Sequence, residues 1–153
     1  MATYRQLLAQ VRDQGGSLQP PCDEHGLDVL RGRLRAELGI GLPAELADLL
    51  RVANGLNWNG LYLYPSATTA LAGHPDVVLA GLVEANLDHR EVGGIEEGLE
   101  DVLVFGDDSL DLYAWRGSTG EFQVLDKVPR DVIATAASFD ELLSGALRRS
   151  LAH

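Results

Sequence analysis

The sequence predicts a single α+β domain: a central antiparallel sheet with helices packed mainly on one face. Three observations predict it. The first third of the chain repeats its leucines at helical spacing, the third quarter breaks into short strand-like runs between Gly/Asp turns, and the end opens with a helix-capping signature. Helices, then a meander, then one helix is the order of an α+β domain, and short connections make neighbouring strands antiparallel. With 153 residues, 46% of them hydrophobic, one core can close without staples, so residues 1–153 read as one domain.

Each element has a local reason. Thr3 reads as an N-cap with Gln6 as its capping-box partner, and Tyr4, Leu7, Leu8 and Val11 follow, giving a first helix over 3–14. Gly15-Gly16 stops it, and Pro20-Pro21 stiffens the connection. Leu27, Leu30, Leu34 and Leu38 predict a second helix over 24–38, ended by Gly39 and Gly41. Pro43 is expected as the first residue of a third helix, with Leu46, Leu49, Leu50 and Ala53 on its buried side and Asn54-Gly55 as its left-handed terminator. Asn59-Gly60 is a second turn, with Trp58 in the same turn, followed by a strand over 61–64. Residues 65–76 read as a loop with room for one helical turn, and 79–91 as a helix. Strands follow over 102–105, 111–115 and 121–125. Ser138 and Glu141 form a capping box ahead of Phe139, Leu142, Leu143, Ala146 and Leu147, and Arg148 and Arg149 suit the last turn of that helix.

Charge narrows the function. The formal net charge is −11, and residues 84–111 hold ten acids against one base, a local −9. Phosphate contact needs a positive footprint, so direct nucleic-acid binding is disfavoured; a negative zone favours basic partners, or simply keeps a surface solvated. Glu96, Glu97, Glu100, Asp101, Asp107, Asp108 and Asp111 are the candidate partner-binding acids, with Trp58 as a candidate aromatic anchor. The first residues, Met1-Ala-Thr-Tyr-Arg-Gln6, lack the basic start and apolar core of a secretory signal. No apolar run nears the ~20 residues that span a membrane, so no membrane partner and a cytoplasmic location are expected.

Chemistry-bearing patterns are thin. Cys22 and His25 have C-x-x-H spacing, but His74, His89 and His153 supply no matching pair, so no metal is expected. Asp107-Asp108-Ser-Leu-Asp111 could hold Mg²⁺ on a helix, but here it follows Gly106 between strands and reads as a turn. P-loop, G-x-S-x-G and G-x-G-x-x-G patterns are missing. Trp115 reads as a sheet-face residue. No catalytic residue, no cofactor and no enzymatic activity are expected.

Several segments then converge in order. Leu42-Pro-Ala-Glu-Leu-Ala-Asp-Leu-Leu50 with Asn54-Gly55 resembles the LP-x-E…LL…NG helix of the SUKH superfamily, the Smi/Knr-type proteins. Asn54-Gly-Leu-Asn-Trp-Asn-Gly-Leu61 resembles its YrhA-like branch, as does Leu82-Val-Glu-Ala-Asn86 with Arg90. Leu103-Val-Phe-Gly-Asp-Asp108, Phe122-Gln-Val-Leu-Asp-Lys127 and Ser138-Phe-Asp-Glu-Leu-Leu143 resemble its strand pair, closing strand and closing helix. The likeness spans residues 27–147; Asp107-Asp108 stands where Glu-Ser is more usual. It implies a SUKH-like fold and a bacterial immunity protein that neutralises a cognate protein toxin in the cytoplasm. The alternative it implies is a regulatory or scaffold module for an endogenous partner. It carries no catalytic residues over, and Asn54, Gly55, Asn59 and Gly60 stay structural turn residues. The acidic zone makes a basic, nuclease-like toxin the electrostatic match.

Overall fold

The computed structural model describes residues 2–91, 99 and 101–152. Helices α1 (Tyr4–Asp13), α2 (Glu24–Arg33) and α3 (Ala44–Val52) come first, α2 running on into a π-helical turn, Leu34–Leu38. Two hairpins follow: β1 (Leu56–Trp58) with β2 (Leu61–Leu63), then β3 (Thr69–Leu71) with β4 (His74–Leu79). Next come α4 (Leu82–Glu91), the meander β5 (Val102–Asp107), β6 (Asp111–Arg116), β7 (Glu121–Asp126) and β8 (Val132–Ala136), and finally α5 (Phe139–Leu151). The main sheet has the order β1-β2-β5-β6-β7-β8 with every pair antiparallel, while β3 and β4 stand apart, so the α+β expectation is met.

Phe139 of α5 meets Phe105 and Phe122 of the sheet with ring centroids 5.5 and 5.0 Å apart, and Tyr4 of α1 meets Phe139 at 5.6 Å. Helices α1 and α5 therefore share one face of the sheet, joined by edge-to-face aromatic packing. The leucine stripe of α2 is buried along its whole length, Leu27, Leu30, Leu34 and Leu38 alike. A π turn is wider than an α turn, which keeps Leu34 and Leu38 on the inner side before Gly39 ends the helix at φ +67°. No helix among the described residues is long and apolar enough to cross a membrane.

Three expectations are corrected, and one strand, β8, is new. Pro43 is the N-cap of α3, not its first helical residue: its ψ is 144° and its carbonyl already accepts from Leu46 and Ala47, both at 3.1 Å. Asn54 does not take the left-handed conformation. Gly55 does, at φ +106°, while Asn54 secures the loop through its side chain, accepting from Ser66 N–H at 2.7 Å and donating to Ser66 Oγ at 3.0 Å. Residues 65–76 are not simply a loop, since β3 and the start of β4 fall there. Pro75 hid the strand from sequence reading, yet a two-stranded ribbon offers open edges where its missing N–H costs nothing. Strand β8 had no sequence signal because four of its five residues are exposed and it shows no alternation.

One buried amide ties α4 to the sheet. Strand β2 leaves the sheet after Leu63, so β5 has no strand partner beside Val104 on that side. Asn86, only 2% exposed, fills the gap: it accepts from Val104 N–H at 2.8 Å and donates to Val104 C=O at 2.7 Å and Leu82 C=O at 2.8 Å. A side chain thus does the work of a missing strand, leaving no orphaned backbone group.

Candidate functional site

Of the acids that the sequence singles out, Asp107, Asp108 and Asp111 lie at the β5–β6 turn, and the side chains of other segments engage the first two. Asp107 accepts from the Tyr64 hydroxyl and from Lys127 Nζ at 3.4 Å. Tyr64 has one proton and gives it to Asp107, so His89 Nε2, at 2.8 Å, is the donor to the Tyr64 oxygen. Burial, then the Asp107 charge, pushes the Tyr64 hydroxyl far above its ordinary range. Burial likewise lowers His89, against the opposing pull of Asp107.

Asp108 faces a different set. It accepts from the N–H groups of Leu110 at 2.9 Å and Asp111 at 2.8 Å, closing an Asx turn, and from the Tyr113 hydroxyl. Tyr113 accepts in turn from Arg149 at 3.1 Å. Burial works to raise the Asp108 carboxyl, but the Tyr113 hydroxyl and those two N–H groups outweigh it and hold it below the usual carboxylate range. Asp111 is raised, by burial and then by Asp108. Asp101 pairs with Arg116 Nη1 at 2.9 Å and with the Ser118 hydroxyl; that hydroxyl leads in lowering its pKa. Glu96, Glu97 and Glu100 lie outside the described residues. The acid-rich run is therefore not a uniform free surface: Asp101, Asp107 and Asp108 hold neighbouring segments together.

Trp58 is not in the turn. The turn is the two residues Asn59 and Gly60, with φ +47° and +85°, the signs that a type I′ hairpin requires, so the strand runs right up to Trp58. The ring is half-buried against the core and so close to Gly16 that a Cβ there would come within 2.9 Å of it. Cys22 is buried, its Sγ 3.5 Å from Ser66 Oγ, while His25 is exposed on α2. Among the described residues no three His, Cys, Asp or Glu side chains gather as a metal site.

A different acidic surface emerges from the fold. The first turns of α1, α3 and α5 converge beside the start of β7 and the end of β8, leaving a groove of about 740 Å³. Tyr4, Phe122 and Phe139 supply aromatic surface, and the lining carries Glu45, Asp48, Glu121 and Asp140 against Arg5, a net −3, with Asp48 also paired to Arg51 Nη1 at 2.9 Å outside it. Asp140 also accepts from Tyr4 N–H at 2.9 Å, fixing α1 against α5. None of the four acids lies in the 84–111 run. They come from three distant segments, so no sequence window could reveal the site.

No protein-family model and no curated protein matches this chain.

Proposed function

We propose that this chain is an immunity protein of the SUKH type, binding and neutralising a cognate toxin domain. The observation that carries the reading is the groove: concave, aromatic-floored and net negative, it suits a basic protein surface. The resemblance supports it further, because its residues stand where the fold depends on them. Pro43 heads α3, Gly55 takes the positive φ, and Asn86 completes β5. Gly106 stands where a Cβ would meet Tyr62 O at 2.6 Å. The carboxylates that could have served a metal-dependent reaction, Asp107 and Asp108, are engaged by Tyr64, Lys127 and Tyr113.

Co-expression with the product of the adjacent gene tests the reading. The expected result is rescue of growth and co-purification as a complex. Failure of both would overturn it, and a stable complex with an endogenous protein without any protection would select the regulatory alternative.

A further inference from the structure

Strand β8 is an outer edge of the main sheet, and among the described residues nothing pairs with its outer side. Its sequence, Val132-Ile-Ala-Thr-Ala136, has no charge and no proline, the usual guards against strand addition. A bulge is its one irregularity: Val124 pairs with Ala134 and Leu125 with Val132, so Ile133 is the extra residue. Val132 and Ile133 are 48% and 55% exposed. Val128, just before the strand, and Leu110, whose carbonyl accepts from Lys127 N–H, add apolar surface at the same end. At the other end, Ala136 and Ala137 line the acidic groove. The edge is thus apolar where it starts and acidic where it finishes.

We propose that β8 receives an extended segment of the protein partner as an added antiparallel strand, with a basic residue leading its apolar residues. This rests on the protein-binding reading above. Antiparallel addition places the leading end of the segment beside Ala136 and its trailing end beside Val132. Residues paired across a sheet share a face, and Ala136 pairs with Phe122. A lysine or arginine opposite Ala136 therefore points to the face of Phe122, into the groove of Glu45, Asp48, Glu121 and Asp140. β-Branched residues further along meet Val132 and Ile133. Charge selects the occupant: a second copy would bring another −11 and its own acidic groove against this one, whereas a basic segment is complementary.

The test is a titration of the isotope-labelled full chain, followed by amide NMR, with three peptides: Lys-Thr-Val-Thr-Val, its reversal, and the version with Glu for Lys. The first should shift the amides of residues 132–136 saturably and bind severalfold more tightly than the other two. High salt and Glu121→Lys should each weaken it severalfold. Ile133→Lys should weaken it without lowering Tm, since that side chain already faces solvent. Equal affinity for all three peptides, shifts centred elsewhere, or no saturable shift would overturn the proposal, as would self-association of the chain that Ile133→Lys abolishes. The toxin assay separates the two ideas. If wild type protects and both variants protect equally, the edge proposal fails and the immunity reading stands. If wild type does not protect, the immunity reading fails and the peptide titration judges the edge alone.

Discussion

The two ends of the main sheet are treated differently. Strand β1 is three residues long and closely guarded: Leu18 bridges to Leu56, Ser150 Oγ donates to Trp58 C=O at 2.9 Å, and Asn59 Nδ2 donates to Ser150 C=O at 3.0 Å. The end of α5 thereby locks the β1–β2 hairpin in place. Strand β8 has five residues, a bulge, exposed Val132 and Ile133, and, among the described residues, no such lock on its outer side. Even the short internal gap beside Val104 is closed, by Asn86. Unpaired strand groups are templates for association, and this fold closes them at β1 and β5 but leaves β8 open. The open end is where a partner strand can be added without first breaking anything.

The largest expected effect comes from reopening the internal gap. Asn86→Leu strands the buried N–H and C=O of Val104 and should cost about 2–4 kcal/mol, read as a drop in denaturant midpoint with unchanged slope. Gly106→Ala attacks the same seam from the other side. Its Cβ would meet Tyr62 O at 2.6 Å and Leu63 Cδ2 at 2.9 Å, and a loss of about 1–3 kcal/mol is expected because backbone has to move. Ser150→Ala removes the lock on β1; about 1 kcal/mol and faster hydrogen exchange in the β1–β2 hairpin are expected.

Acid should destabilise the fold in two steps. The folded pKa of His89 lies below the ordinary 6.5, with Asp107, Asp88, Lys127 and Arg130 as its charged neighbours. The unfolded chain then takes up its proton first as pH falls. This contribution to stability is complete above about pH 6.5 and is lost on acidification from there toward the folded pKa. A second loss follows below the ordinary carboxylate value of 3.8, as Asp108, lowered in the fold, becomes protonated. Thermal melts across pH should show the first step, and His89→Gln should remove it while the second remains. The smallest effect is expected at the open edge: Ile133→Lys should change stability by no more than about 0.5 kcal/mol while weakening strand addition. A large destabilisation there would mean that β8 is guarded after all.

The fold was legible where the signal is local. Thr3 with Gln6 and Ser138 with Glu141 announced α1 and α5, although Glu141 reaches the Ala137 N–H and not that of the cap residue itself. The α2 and α3 leucines and the β5–β7 meander were equally plain. Strands β1 and β8 were not: Trp58 sits among turn-like asparagines, and β8 lacks the alternation that burying one face imposes. The candidate site fared less well. The acids of 84–111 stood out by density, but density does not say which carboxylates find a side-chain donor: Asp101, Asp107 and Asp108 do, from residues between five and 43 positions away.

The sequence by itself determined the fold class, the capped helices, the turns that only Gly55, Gly60 and Asn59 could make with ease, and the net negative charge. These follow from backbone sterics, periodicity and composition, all readable within a few residues of one another. Only the tertiary structure decided which acids are spent on the fold and which meet in a groove. It also decided that Asn86 acts as a strand, and that, among the described residues, the outer side of β8 is left without a partner strand. Those outcomes depend on which distant segments arrive at the same place, because hydrogen bonds and charge pairs act over a few ångströms in space regardless of separation along the chain.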